Sequence, residues 1–189
     1  MARIAGVSEQ DASPEILAVY KRVKVRFGKL LEPITIAANH PEIFKAYTSY
    51  EGCFGAASRV DPKLKELAIL KVATVIGCPF CIDLGSAEAK KNGITERQMQ
   101  ALPRHGQSSE FSEAEKLVLD FAEAMTHVPV NVTDSLYAQL QALFDPVQVV
   151  EITAAIAWEN YRSRFNHALG IEAHGFSVGH YCAISLPTS

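Results

Sequence analysis

The stretch from Asp61 to Gly77, "DPKLKELAILKVATVIG", restricts the fold more than any other part of the chain. Asp61 is typical of a helix N-cap and Pro62 suits the first helical turn, while Gly77 is typical of a helix C-terminus. Apolar residues cover almost every side of this helix between Leu67 and Ile76. Because such a helix must be covered on all sides, we expect it at the centre of a helical bundle.

Further helix starts recur along the whole chain. Serine, threonine, proline and aspartate mark them at Ser13, Pro41, Thr95, Ser112, Thr133 and Asp145. The helix that begins after Asp145 is expected to continue to Gly170, and an irregular tail follows it. No stretch alternates apolar and polar residues with a period of two. The sequence therefore predicts an all-α fold, built as a compact multi-helix bundle.

With 189 residues, the chain suits one domain. We divide it into an N-terminal half, a C-terminal half and the tail, at residues 1–103, 111–170 and 171–189. Each half contains a helix that starts with Asp-Pro, and a glutamate follows near its start, Glu66 in one and Glu151 in the other. This similarity fits a duplicated helical unit, but it fits two common helix starts equally well.

Charge and composition exclude several classes of partner. The net charge is −3, so no excess of basic residues indicates binding to nucleic acid or to an anionic membrane. The N-terminal segment lacks the apolar run of a signal peptide, and no run approaches the roughly 18 apolar residues of a spanning helix. We therefore expect a cytoplasmic protein. No bound organic cofactor is expected, because no phosphate-binding glycine loop follows a strand.

Cys78 and Cys81, in "GCPFCIDLG", are the most informative side chains. Gly77 ends one helix and Pro79 suits the start of the next, which places Cys78 at the N-cap and Cys81 one turn inside. Backbone N–H groups and the positive end of the helix dipole then point at both sulfurs and favour thiolate over thiol. Because this spacing also permits a disulfide, the pair can cycle between dithiol and disulfide forms.

Two alternatives to a redox role remain open for this pair. Both cysteines can be small buried hydrophobic residues, since free cysteine is often interior. A zinc site is the second alternative, and only His174 and His180 in the tail have suitable spacing to complete it.

Glu66, Cys78 and Cys81, spaced Glu-x11-Cys-x2-Cys in a helix–turn–helix setting, resemble the alkylhydroperoxidase D branch of the carboxymuconolactone decarboxylase superfamily. The resemblance is strongest between Asp61 and Leu102, and "ENYRSRFNHALGI" is similar to the second half of such proteins. It implies an all-helical fold and homo-oligomers, often trimers or hexamers. It also implies thiol peroxidase or disulfide-reductase activity, with an external dithiol donor as reductant.

The sequence departs from this family at Gly85, four residues after Cys81. The resemblance implies a histidine there, as part of a Glu–His–water–Cys proton relay. Glu66 is expected to accept a thiol proton, although on a straight helix it would lie about 18 Å from Cys78. Contact therefore requires either a bend in this helix or an approach through the next helix as it folds back.

Three residues are candidates to replace the absent histidine. Asp83 is the first, although a carboxylate near a helix start also complements the helix dipole. Ser86 can hold a water molecule, and His167 can reach the site from the last helix or lie on the surface.

The order of attack by the two sulfurs is open. The N-cap position favours Cys78 as the more exposed nucleophile, whereas the resemblance implies that Cys81 reacts with peroxide and Cys78 resolves. Of the isolated cysteines, we expect Cys53 in the core and Cys182 partly exposed.

The leading functional prediction is a thiol oxidoreductase that reduces hydroperoxides or protein disulfides, a peroxiredoxin-type antioxidant activity. One alternative is a lactone decarboxylase, whose chemistry needs an acid–base pair rather than two sulfurs. Another is a non-catalytic oligomeric relative.

Overall fold

The computed structural model describes residues 2–179 and 182–183. In these residues there are nine α-helices, and a 3-10 turn at Leu102–Gln107 follows the sixth. The helices are α1 (Pro14–Phe27), α2 (Glu32–Ala37), α3 (Pro41–Ala56), α4 (Pro62–Ile76), α5 (Pro79–Lys91), α6 (Glu96–Ala101), α7 (Glu113–Thr126), α8 (Asp134–Leu143) and α9 (Pro146–Ala168). No strand occurs in this part of the chain, so the predicted all-α fold is confirmed.

The helix starts follow the capping residues of the sequence. The Asp61 side chain accepts the N–H of Lys63 at 2.7 Å, and Gly77 ends α4 in the left-handed conformation at φ 76°. Thr95 and Ser112 each form a complete capping box. The short helix α2 was not predicted, because the residue at its N-cap, Leu31, provides no side-chain hydrogen bond.

Helix α4 lies at the centre of the helices that follow it, as predicted. It packs against α5, α7 and α9. Apolar side chains of α4 join those of the later helices in one core, which contains Val60, Ala68, Val72, Leu117, Val118, Phe121, Ala122, Leu140, Ile152 and Ile156. Burial of this apolar surface is what holds α4, α7, α8 and α9 together.

The chain divides into two compact units with boundaries different from those of the sequence halves. Among the described residues, the first unit contains 2–57 and 169–171, and the second contains 58–168 and the part of the tail from Glu172 that the structure describes. In the first unit Tyr20 is buried, its hydroxyl donates to the Val7 carbonyl at 2.9 Å, and its ring meets Phe44 edge-on. The second unit contains both α4 and α5. Duplication of a helical unit stays a prediction.

Two remaining expectations concern the tail and the membrane. Residues 171–179 and 182–183 form neither helix nor strand, as the irregular composition of the tail predicts. Among the helices of the described chain, none combines the length and the hydropathy that crossing a membrane requires.

Candidate functional site

Cys78 and Cys81 form a hydrogen-bonded pair at the start of α5. Cys78 is the N-cap residue, and its sulfur accepts the backbone N–H of Cys81 at 3.3 Å. The Cys81 thiol donates to the same sulfur. Both are free thiols. The two sulfurs are therefore already neighbours, as a reversible disulfide requires.

The two thiols differ in accessibility, in the order opposite to the sequence prediction. Cys78 is 0% exposed, whereas Cys81 is 8% exposed. The prediction that Cys78 is the more exposed sulfur is wrong, because the start of α5 lies inside the bundle, where α4 and α9 pack against the helix. The small accessible area of the pair belongs to Cys81.

The two thiols also ionise in opposite directions. The hydrogen bond from the Cys81 thiol lowers the pKa of Cys78, and this outweighs burial and the nearby charge of Glu159, with further help from the Cys81 N–H and the Ser163 hydroxyl. The pKa of Cys81 is raised, because its thiol donates to Cys78, and because burial and Glu159 disfavour a second negative charge. The Cys78 thiol therefore loses its proton readily, whereas the Cys81 thiol keeps its proton.

Helix α9 supplies a polar wall beside the sulfurs. The Ser163 hydroxyl lies beside the cysteine pair and donates to Glu159 Oε1 at 2.6 Å. Arg162 Nε donates to Glu159 Oε2 at 2.8 Å. Asn166 Nδ2 lies 3.3 Å from Cys81 Sγ. Glu159, Ser163 and Asn166 are all buried.

The sequence analysis missed these residues of α9. Glu159, Ser163 and Asn166 are spaced i, i+4 and i+7, so they form a polar stripe on one face of the helix. A polar stripe on a helix long enough to cross the whole bundle is the pattern that could have revealed them.

The Asn166 amide has one unused group. Its Oδ1 atom is buried and has no hydrogen-bond partner among the described residues. Most buried polar groups are paired, so an unpaired acceptor next to the Cys81 thiol is a candidate group for binding a ligand.

Glu66 reaches the same region from α4. The helices α4 and α5 fold back on each other, so that the half-buried Glu66 lies beside Gly85, one turn after Cys81. The position at which the resemblance implies a histidine is therefore the position that faces Glu66.

Comparison with known proteins identifies the family. The model of the carboxymuconolactone decarboxylase family matches residues 41–124, which include both cysteines and Glu66. The uncharacterized protein YnjA of Escherichia coli (strain K12) is 33% identical over 150 residues, which cover 79% of this chain and 82% of that protein. The chain belongs to the carboxymuconolactone decarboxylase family. The family expected from the resemblance is thereby confirmed.

Two solved structures have the same fold as this chain. The alkylhydroperoxidase AhpD core of an uncharacterized peroxidase-related protein from Ralstonia eutropha JMP134 matches with a TM-score of 0.83 and 15% identity, covering 96% of this chain and 97% of that one. The debrominase Bmp8 matches with a TM-score of 0.81 and 21% identity, covering 92% of each chain. This family member therefore has the alkylhydroperoxidase D-like fold.

In this family member Asp83 and Ser86 hold the tail against α5. Asp83 Oδ2 accepts the backbone N–H groups of His174 and Phe176, at 2.9 and 3.0 Å, and Oδ1 accepts the N–H and hydroxyl of Ser177, at 2.8 and 2.7 Å. Burial raises the pKa of Asp83, but these hydrogen bonds together have the larger effect, so the pKa lies below its ordinary value. Ser86 Oγ accepts the N–H of Ala183 at 3.0 Å.

The other predicted residues lie apart from the sulfur pair or in the tail. His167 is exposed on α9, and its neighbours on that helix, rather than it, contact the sulfurs. The His174 ring packs edge-on against Phe80 at 5.2 Å, while His180 lies outside the described residues. In the described chain no group of three or more His, Cys, Asp or Glu side chains is arranged to hold a metal ion.

The two isolated cysteines have different environments. Cys53 is exposed, so the prediction that it belongs to the core is wrong. The second half of α3 explains this, because exposed residues surround Cys53 there. Cys182 is partly buried, and its sulfur lies 3.9 Å from Ser86 Oγ.

Proposed function

We propose that this protein is a dithiol oxidoreductase, in which Cys78 and Cys81 reduce a hydroperoxide and close into a disulfide. The observation that carries the proposal is the hydrogen-bonded sulfur pair, in which Cys81 donates both its thiol and its N–H to the Cys78 sulfur. This arrangement favours a thiolate–thiol pair, the form that reacts with peroxides. An external dithiol then reopens the disulfide.

The reaction balances with two thiols and one hydroperoxide. The pair carries one negative charge, which the hydrogen bond from the Cys81 thiol favours on Cys78, and Cys81 is the residue with accessible surface. As the Cys81 sulfur attacks the terminal peroxide oxygen, its thiol proton passes along the hydrogen bond to Cys78. An S–O bond forms, the O–O bond breaks, and the alkoxide takes a proton from solvent and leaves as the alcohol. Cys78 then attacks the sulfenic sulfur, which closes the disulfide and releases water.

Asn166 supports a hydroperoxide rather than a protein disulfide as substrate. Its unpaired Oδ1 can accept the O–H of a hydroperoxide next to Cys81, and a disulfide has no such donor. With Cys81 only 8% exposed, the site also favours a small molecule over a folded protein partner.

A second candidate is reductive removal of halogen from a haloaromatic ring that carries an N–H group. Bmp8, the debrominase of the same fold, has been solved as a cysteine-to-alanine variant in complex with 2,3,4-tribromopyrrole. A pyrrole N–H could pair with the free Asn166 oxygen. The stoichiometry is one carbon–bromine bond and two thiols, which give one carbon–hydrogen bond, one disulfide, bromide and a proton.

Replacing the cysteines one at a time tests both candidates. Purified protein is assayed for consumption of an organic hydroperoxide, and separately for bromide release from a bromopyrrole, with a dithiol as reductant. We expect Cys78→Ser and Cys81→Ser to lower the productive activity by at least about two orders of magnitude, while Cys53→Ser leaves it unchanged. Mass spectrometry should find a Cys78–Cys81 bridge in the oxidised protein. Full turnover in both active-site variants would exclude a thiol mechanism.

The same preparation separates the remaining alternatives. A lactone decarboxylase would keep its activity after complete alkylation, and a non-catalytic relative would show no thiol that is alkylated faster than free cysteine at low pH. A homo-oligomer, as a trimer or hexamer, and a cytoplasmic location also belong to the proposal. Sedimentation equilibrium measures the first, and fractionation of cells measures the second.

A further inference from the structure

Closure of the disulfide leaves a proton without an evident acceptor. This inference rests on the proposed dithiol function, since both thiol protons must leave before the sulfurs can join. The first proton leaves readily, whereas the second is held between the sulfurs. Gly85 offers no acceptor at the position where the resemblance implies a histidine.

Ser163 occupies the place where such an acceptor is needed. It lies beside the cysteine pair, one turn before Asn166, whose Nδ2 is 3.3 Å from Cys81 Sγ, and its hydroxyl donates to Glu159 Oε1 at 2.6 Å, one turn earlier on α9. A hydroxyl can accept one proton while it donates its own. Ser163 therefore joins the sulfurs to a carboxylate through a single side chain.

Glu159 is held in the geometry that such a transfer needs. It is 2% exposed, and Arg162 fixes its other oxygen through Nε at 2.8 Å and Nη2 at 2.5 Å. The remaining oxygen, Oε1, accepts the Ser163 hydroxyl. The other acids near α5 point elsewhere, since Asp83 holds the tail and Glu66 faces Gly85.

We propose that Ser163 and Glu159 form a proton relay that takes the second thiol proton from the Cys78–Cys81 pair. As the second sulfur attacks, its proton passes to Ser163 Oγ, and the Ser163 proton passes to Glu159 Oε1. The carboxylic acid then returns a proton through Ser163 to the departing hydroxide, which leaves as water. Ser163 is a catalytic residue because it contacts the reacting sulfurs, and Glu159 is a positioning residue that acts through it.

The relay predicts an unusual combination of effects in Glu159→Gln. Removing the carboxylate charge should make the first thiol ionise at lower pH, because Glu159 raises the pKa of both cysteines. Without a proton acceptor, however, disulfide closure should become slower by roughly 100-fold. A purely structural or electrostatic role would not combine easier ionisation with slower closure.

Rapid mixing followed by acid quench and mass spectrometry measures closure of the disulfide after the first oxidation. Ser163→Ala should be as slow as Glu159→Gln, and Ser163→Thr, which keeps the hydroxyl, should recover most of the rate. Glu151→Gln is the matched control, because Glu151 is also a buried, ion-paired glutamate on α9 but binds Lys65, and it should close at the wild-type rate. Circular dichroism verifies that each variant is folded.

Two outcomes are separable. If folded Glu159→Gln and Ser163→Ala close at the wild-type rate, the relay is wrong and the dithiol function stands. If wild-type protein forms no Cys78–Cys81 bridge with either a hydroperoxide or a bromopyrrole, the proposed function fails first.

Discussion

Gly85 on α5 faces the carboxylate of Glu66 on α4. A Cβ atom at position 85 would lie 3.8 Å from Glu66 Oε1 and 3.3 Å from Leu70 Cδ1. The fold therefore keeps a glutamate beside the position where the resemblance implies a histidine, one turn beyond Cys81. What is missing is the imidazole between the acid and the sulfurs.

Restoring that imidazole should raise hydroperoxide reduction. We expect Gly85→His to increase turnover by roughly 10-fold or more, because a positioned histidine is an efficient general base near neutral pH. Leu70 must move by a few tenths of an ångström to admit the side chain. Gly85→Gln is the matched control of similar size without a titratable group. Equal turnover in Gly85→His and Gly85→Gln would contradict this role for position 85. A gain in Gly85→His that persists when Glu66 is also replaced by Gln would contradict it as well.

The lowered pKa of Cys78 should depend on Cys81 as a donor. In a Cys53→Ser, Cys182→Ser background, thiolate absorbance measured against pH should give the lowest Cys78 pKa when Cys81 is present. Cys81→Ser keeps a hydroxyl donor and should raise the Cys78 pKa slightly, whereas Cys81→Ala should raise it more, because the largest cause of the lowering is the Cys81 thiol. Identical titration curves for the serine and alanine variants would contradict this cause.

Asp83 should make the attachment of the tail depend on pH. Its folded-state pKa lies below the unfolded value, so its stabilisation is complete above about pH 4 and is lost as pH falls through the folded-state pKa. Asp83→Asn turns an amide N–H toward backbone donors, and should cost about 2 kcal/mol at pH 7 and less at acid pH. Urea unfolding at both pH values measures this difference.

Hydrogen exchange shows which residues are loosened when Asp83 no longer holds the tail. In Asp83→Asn, the amides of His174, Phe176 and Ser177 should exchange faster, because each loses its carboxylate acceptor. Glu172→Gln, at an exposed position of the same segment, is the control and should leave these rates unchanged. Unchanged protection in Asp83→Asn would show that other contacts hold the tail.

Glu151 should contribute to the stability of the second unit. Its Oε2 accepts the N–H of Arg59 at 2.8 Å and its Oε1 pairs with Lys65 Nζ at 2.7 Å, in a largely buried site. We expect Glu151→Gln to lower the free energy of unfolding by about 3 kcal/mol, because it leaves Lys65 without its carboxylate. Glu113→Gln, in an exposed pair with Lys116, should change it by less than about 0.5 kcal/mol. Urea unfolding compares the two, and equal losses would refute the distinction.

The sequence predicts helix starts well, because capping is local. Asp61, Thr95 and Ser112 each bond to a backbone group within three residues, so the pattern of neighbours is sufficient to place the cap. The same locality places Cys78 at the N-cap of α5, with the Cys81 N–H on its sulfur.

Accessibility and long-range contacts are less predictable. Cys78 is buried because α4 and α9 pack against α5, and Cys53 is exposed because its part of α3 faces outward, and neither fact depends on nearby sequence. Ser163 is separated from Cys78 by more than eighty residues, so only the folded chain brings its hydroxyl to the sulfurs. The family resemblance points instead to position 85, where it implies a histidine, and not to Ser163.

The attachment of the tail through Asp83 has an evolutionary consequence. Asp83 binds backbone N–H groups at positions 174 and 176, so the side chains there are free to change without loosening the segment. Those side chains rest on Phe80, which lies between the two cysteines in the chain. A lineage can thus exchange the rings that pack on Phe80 while the helical scaffold stays as it is.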